Sequence, residues 1–483
     1  MDAGMRTQSH FGRRFRPSLC IVLLSIFLIV LWLAGGASRA DALGQTAVRA
    51  TAWSLLIVAI LFGRRPAIGE MRPVALLLLA AALLAALQLV PLPPDIWQAL
   101  PGRQLFVEAA AASGQPQPWR PLSIVPGATV NALSSLVVPV TALVLALGMK
   151  EKEYAWLPGL ILSVAAASMM VGVLQMSGAA IDNPFVNETV GQVSGTFANR
   201  NHFALLLALG CLVTPVWAML GGRRPGWRSP VALGLMLLFA LTILASGSRA
   251  GLVLGLLALI LGPVIAWQGI SSAFHNYSRW VFPTLVIGVV SVLIIFVLVS
   301  VAADRAVSID RVLWGDEGQD MRTRGLPTVL AMTGRYFPFG SGLGGFDPLF
   351  RLHEPFKLLK PTFFNHAHND LLEVVLDAGL PGLLLLVASL LWWIRSSARA
   401  WQAGRGMHYA LPKMGSAMLL LILLASAFDY PARTPMVMVT GILAALWLSG
   451  ARSRGTRSSF TDDAPASIDT GSSRYRGTAP AHA

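Results

Sequence analysis

Apolar stretches of membrane-crossing length recur along the whole chain, and they leave few folds open. A spanning helix needs about 20 mostly apolar residues, and about twelve such stretches are present. They lie near 18–36, 50–63, 73–91, 128–149, 155–176, 202–220, 230–247, 250–268, 280–302, 377–395, 414–430 and 434–450. The second is short and leans on Arg49 and Thr51 at one end. The runs are too long and too poor in charge for helices buried in a soluble protein. Barrel strands would alternate over about ten residues, and these do not. The expected fold is therefore an all-α polytopic integral membrane protein of about twelve helices, embedded in a lipid bilayer. Only 12% of the residues are charged, about half of the usual share.

The charge balance is nevertheless strongly basic, with a net charge of +14. In a soluble chain this would point to nucleic acid. In a membrane protein the first explanation is the excess of Lys and Arg on cytoplasmic loops. With the N-terminus (1–17) inside, alternate loops carry Arg64 and Arg65, Lys150 and Lys152, Arg223 with Arg224 and Arg228, and Arg395 through Lys413. The tail adds Arg452, Arg454 and Arg457, and its Ser, Gly and Asp content predicts disorder over 451–483. This parity fixes the orientation and removes nucleic acid as a partner. Residues 1–16 with the first run also fit a signal peptide, since Ser38-Arg39-Ala40 offers a small-x-small cleavage pattern. The first run is longer than a usual signal core. Cys20 and Cys211 fall inside apolar runs, which predicts buried free thiols.

The organisation that follows is helices 1–9 over 18–302 and helices 10–12 over 377–450, with two substantial outer segments. Residues 92–127 are rich in proline and predict irregular structure. Residues 303–376 form one large loop on the periplasmic side, with Arg305, Arg311, Arg322, Arg324, Arg335, Arg351, Lys357 and Lys360. Long translocated loops are largely exempt from the charge rule. A basic loop there still needs a reason, and an anionic ligand supplies one.

Three polar clusters stand at the outer edge, where buried charge is costly unless paired or hydrated. The first runs from Gly195 to Phe203 and contains Asn199, Arg200, Asn201 and His202. Asn199 or Asn201 can cap the helix that follows; the plain reading is a polar helix start with a snorkelling Arg. The second is Ser246-Gly247-Ser248-Arg249-Ala250-Gly251, a tight turn that pins Arg249 at a helix junction. Gly251 and Gly255 give its helix a close-packing face; the alternative reading has Arg249 satisfying carbonyls of the turn. The third is Asn365-His366-Ala367-His368-Asn369-Asp370, followed by Gly379-Leu380-Pro381-Gly382. A helical pattern starts at Asp370. Histidine titrates near neutrality and suits general base work, but His366 and His368 also fit a structural pair, or a metal site with Asp370 and His353. Upstream, Arg322 and Arg324 read either as ligand contacts or as solvated loop charges. The glycine-rich Gly340–Gly345 stretch lacks a P-loop pattern and predicts a sharp backbone turn beside a ligand.

Taken together, these clusters resemble the O-antigen ligase and O-antigen polymerase superfamily of bacterial membrane glycosyltransferases, over about 195–382. His368-Asn369 with Gly379 and Gly382 resembles the family's His-loop pattern. Ser248-Arg249 resembles its membrane-edge Arg and Arg322 its loop Arg; the first 190 or so residues match only in hydropathy. The resemblance implies transfer of a glycan from undecaprenyl diphosphate to an acceptor hydroxyl, on lipid A core or another glycan, at the periplasmic face of the inner membrane. It implies an inverting, metal-independent enzyme without a cofactor. Arg249 and Arg322 would hold the diphosphate and His368 would serve the acceptor. Arg200, Asn201, His202, His366 and Asn369 would contact substrate. The chemistry is self-consistent, because guanidinium groups bind phosphate oxygens bidentately and stabilise a departing diphosphate.

Two other classes compete. A transporter of an anionic or small solute would place polar groups at the bilayer midplane on broken helices. A metal-dependent membrane hydrolase would be built on His366 and His368.

Overall fold

The structure is a computed structural model describing residues 17–450, apart from 67, 180, 182, 188–191, 221–225, 276–277, 279, 281–282, 285–286, 289–290, 292–320, 360–363 and 405. The expected cytoplasmic N-terminus, Arg223 and Arg224, most of the run at 280–302, Arg305, Arg311, Lys360 and the tail from 451 lie outside the described residues.

Helices dominate. Among the described residues, nine are long and apolar enough to cross a membrane. They comprise α2 (Leu43–Phe62), Gly69–Leu87 with α3 (Arg72–Leu87), and Pro126–Leu147, made of α6 (Pro126–Ser135) and α7 (Val137–Leu147). Glu151–Met176 contains α8 (Leu157–Met176), followed by α9 (Arg200–Met219), α10 (Arg228–Ala245), α11 (Arg249–Phe274), α14 (Asp370–Gln402) and α15 (Ala410–Phe428). Two shorter apolar helices, α1 (Leu19–Ala34) and α16 (Pro435–Ser449), cover the first and last runs. The chain is a multi-pass membrane protein. Helix α9 is its axis: buried along most of its length, it packs against α8, α10, α11 and α15. Small residues allow this, since Gly251 of α11 faces the Ala204 methyl and Gly262 faces Pro215. Cys20 and Cys211 are buried free thiols.

The second helix begins earlier than its apolar run. It starts at Leu43 and takes Arg49 inside, where the guanidinium donates to Asn131 Oδ1 at 2.7 Å and Ser134 Oγ at 2.9 Å on α6. Polar partners on a neighbouring helix let a charge sit where composition alone would have ended the span.

The outer segments are more ordered than proline content implies. Residues 92–127 form α4 (Pro94–Ala99) and α5 (Gln104–Ala112), and a short antiparallel pairing sets Pro91 against Pro121. Pro94 sits in the first helical turn, where its missing N–H costs nothing. Arg103 anchors the segment. It is fully buried, donates to the carbonyls of Leu122 at 2.7 Å and Gly340 at 3.2 Å, and lies over the Trp97 and Tyr336 rings. Burial lowers its pKa to about 10, so it keeps its charge at neutral pH. Downstream come α12 (Met321–Tyr336) and α13 (Phe346–His353). Val329, Met332, Phe346, Phe350 and Phe364 make a separate core there, joined by Phe106 and Ile124 of the first segment. The two outer segments are thus one folded layer.

That layer grips α14 where the helix breaks. Gly379 has φ 58°, and Pro381 has no N–H to offer the Asp377 carbonyl four residues back. The Gly340–Gly345 loop takes over. Ser341 N–H donates to Leu376 O at 3.0 Å, Gly342 N–H to Asp377 O at 2.9 Å, and Leu380 N–H to Pro338 O at 2.8 Å. Gln88 of the first half also donates to Asp377 O, at 3.0 Å. Positive φ at Gly340, Gly342 and Gly344 brings the loop backbone this close.

Arg103→Met keeps apolar volume but leaves two buried carbonyls without their charged donor. It should lower thermal stability by about 3 kcal/mol, read from the unfolding midpoint of the detergent-solubilised protein. An unchanged midpoint would mean that the outer layer docks without this guanidinium.

Candidate active site

Three helices start at the same place, and each start is capped by a side chain named in the sequence clusters. Asn199 Oδ1 accepts from Asn201 N at 2.8 Å and begins α9. Ser248 Oγ accepts from Gly251 N at 2.9 Å and begins α11. Asn369 Oδ1 accepts from Leu372 N at 2.9 Å and begins α14. Helix N-termini carry partial positive charge and favour anions. The caps are linked, because Ser248 Oγ donates to Asn201 Oδ1 at 2.7 Å.

The centre of the arrangement is Asp429, just past the end of α15. Its Oδ2 accepts from Asn201 Nδ2 at 2.6 Å, Asn199 Nδ2 at 3.1 Å and Arg322 Nη2 at 3.2 Å. Its Oδ1 lies 3.0 Å from His368 Nδ1 and accepts from Tyr430 N at 3.1 Å. Burial by itself would raise the carboxyl pKa. The His368 hydrogen bond and the neighbouring positive charge of Arg322 overcome it and hold the group well below the ordinary carboxylate range. An ionised carboxylate only accepts, so His368 Nδ1 must carry the proton it donates, which leaves the Nε2 lone pair open. His368 also has φ 51°, a left-handed backbone that side chains beyond glycine rarely adopt. Its ring stacks on Phe364 with centroids 5.0 Å apart.

A second carboxylate group lies beside the first. Asp370, Glu373 and Asp377 share one face of α14 and meet Arg433, which follows α15. Arg433 Nε donates to Asp370 Oδ1 at 3.0 Å, and Arg433 Nη2 is 3.2 Å from Glu373 Oε1. Burial would lower the guanidinium pKa, but the surrounding carboxylates raise it above its ordinary value. His366 Nδ1 lies 3.0 Å from Glu373 Oε1. Tyr430 separates the groups: its ring centroid is 4.4 Å from that of His366, 4.8 Å from His368 and 5.0 Å from His202. Burial and the adjacent Asp429 charge push its hydroxyl up to about 12.

The sequence-derived candidates sort clearly. His368, Arg322 and Asn201 meet on Asp429. Arg249 is one residue from the Ser248 cap; it is exposed and, among the described residues, has no hydrogen-bond or ion-pair partner. His202 is 2% exposed, bonded through Nδ1 to Thr434 Oγ1 at 3.0 Å, and stands behind the network. Asn369 acts as a cap, and Arg200 is the first residue of α9. The four residues of the metal reading go to separate partners: His366 to Glu373, His368 to Asp429, Asp370 to Arg433 and His353 to the Tyr336 hydroxyl. Asp429, Tyr430 and Arg433 are absent from the sequence clusters. The signal was present, since a lone carboxylate at the end of an apolar run is functional by default.

Asp429→Asn should lower stability at neutral pH by about 3 kcal/mol, because Arg322 loses its buried counter-charge and His368 its charged acceptor. The folded pKa is depressed, so the stabilisation is complete above the unfolded value of about 4 and is lost as pH falls through the folded one. The difference between wild type and variant should therefore be constant above about pH 5 and shrink below about pH 4. A difference that grows toward acid would contradict the ionised assignment.

Comparison with known proteins adds a family. No curated protein matches the chain at a significant level. The family match takes in Arg249, Arg322, His366, His368 and Asn369, while the Arg200–His202 segment and Asp429 fall outside it. Residues 234–387, about a third of the chain, match the family model described as O-Antigen ligase, which supports the resemblance to the O-antigen ligase superfamily.

Proposed function

We propose that the chain transfers a glycan from undecaprenyl diphosphate to an acceptor hydroxyl at the periplasmic face of the bacterial inner membrane, as a ligase or a polymerase. The observation that carries this reading is the gathering of His368, Arg322 and Asn201 on the Asp429 carboxylate, with the Ser248–Arg249 turn tied to Asn201. Three helix N-termini add positive potential at the same place, which suits a diphosphate.

The chemistry is a single displacement. The acceptor oxygen attacks the anomeric carbon, and its proton passes to His368 Nε2. The bond between the anomeric carbon and the diphosphate oxygen breaks, and the electron pair leaves with undecaprenyl diphosphate. Arg249 and Arg322 neutralise the charge that grows on this leaving group, which is electrostatic stabilisation of the transition state. Asp429 fixes the His368 tautomer, stabilises the imidazolium that forms and holds Arg322 in place. Inversion at the anomeric carbon follows from one displacement. The residues supply the base and the charge neutralisation themselves, so the reading calls for no metal or cofactor.

The break in α14 is a feature that a transporter would share, since transporters expose freed carbonyls of broken helices to their cargo. Here the Leu376 and Asp377 carbonyls are taken by Ser341, Gly342 and Gln88, which favours the enzyme.

His368→Ala should abolish surface polysaccharide while the protein still accumulates in the membrane, a loss of about 100-fold or more for a general base. Normal polysaccharide would remove the base assignment. Arg249→Lys should lose most activity despite keeping its charge, because Lys lacks the bidentate fork; full activity would reduce Arg249 to a packing role. In the same strains, single units on lipid A would indicate a lost polymerase, and accumulated long lipid-linked chains a lost ligase.

A further inference from the structure

A cavity of about 480 Å³ opens beside His366, and neither Arg322 nor Arg249 lines it. Its walls come from the 38–49 segment, α6, α13 and the His366–Arg433 pair. The volume is that of a small-ligand site, about 300–1,000 Å³. The lining is a mixture of amides, hydroxyls and paired charges, which suits the hydroxyl groups of a sugar.

The charges are unevenly balanced. Arg39 is bidentate with Asp41, at 2.9 and 2.5 Å. Arg351 is bidentate with Asp347, at 2.7 and 3.0 Å. Arg433 faces the α14 carboxylates. Arg49 differs. Its partners are Asn131, Ser134 and Gln45, all neutral, and its Nε is buried without a hydrogen-bond partner. Among the described residues no carboxylate pairs with it. A fixed cation within a membrane helix is costly unless a counter-charge reaches it. One uncompensated cation matches one anionic group, whereas a diphosphate calls for several.

We propose that this cavity binds the acceptor glycan and that Arg49 receives a single anionic substituent of it, a carboxylate or a phosphate monoester. The inference rests on the glycosyl-transfer reading above. A glycan lying from Arg49 to His366 has its reacting end beside Tyr430, whose ring touches both His366 and His368. Donor and acceptor then converge at the Tyr430 ring.

The test is saturation-transfer NMR on the full-length protein in detergent micelles, with trigalacturonic acid, maltotriose and farnesyl diphosphate as probes. Wild type should bind trigalacturonic acid at least ten-fold more tightly than maltotriose. Arg49→Gln should erase that preference, and Arg49→Lys should keep part of it. Ala132→Trp, which fills the cavity while keeping Arg49, should abolish binding of both saccharides. Farnesyl diphosphate should bind all of these forms, which also verifies that they are folded, and should be lost in Arg322→Gln. Absence of trigalacturonic acid binding to wild type, or a preference unchanged in both Arg49→Gln and Ala132→Trp, overturns the proposal. Loss of farnesyl diphosphate in Arg49→Gln with retention in Arg322→Gln overturns it too, because the cavity would then hold the donor. If wild type binds saccharide but no farnesyl diphosphate, the cavity assignment stands as a saccharide site and the lipid-diphosphate reading fails.

Discussion

The site depends on one buried carboxylate. Asp429 collects donors from four parts of the chain: the α9 start, the α12 start, the His368 turn and the backbone of Tyr430. A charge at this depth is tolerated only because each lone pair is occupied and an arginine lies beside it. The same saturation orders the groups around it. His368 cannot rotate without giving up its acceptor, and Arg322 cannot swing away without leaving the carboxylate short of a cation. Electrostatics and positioning are here one interaction.

A second clamp, built on Arg433, repeats this logic with the signs reversed. One guanidinium is surrounded by Asp370, Glu373 and Asp377, at intervals that put all three on one face of α14. It joins the start of α14 to the segment after α15. Because Asp429 and Arg433 are four residues apart, the short link between α15 and α16 supplies both clamps. Tyr430 lies between them and keeps the two histidines on separate carboxylates.

Much of this was legible in sequence. Hydropathy gave the helical membrane class and most helix positions, because apolar length is a local property. The caps Asn199, Ser248 and Asn369 were readable, since a cap is set by a few neighbouring residues. What was not legible depends on contacts across long separations. Arg49 looked like the end of a span because its partners Asn131 and Ser134 lie on another helix. Arg103 gave no signal, as its acceptors are backbone carbonyls. Asp429 was absorbed into an apolar run, though its charge alone marked it. The glycine-rich loop was read as a turn beside a ligand. That its backbone also completes α14 was not legible: Gly342 N–H takes the Asp377 carbonyl, and Gly344 N–H donates to Asp377 Oδ2 at 3.0 Å.

The break at Gly379 has a kinetic meaning. Amides of a surface glycine loop ordinarily exchange with solvent on their own, at little free-energy cost. Here Ser341 and Gly342 donate to carbonyls that the helix itself has released, and Leu380 donates back to the loop. Neither partner can open alone without stripping the other of hydrogen bonds. The loop and the first turns of α14, which carry Asp370, Glu373 and Asp377, therefore form one cooperative unit that unfolds together.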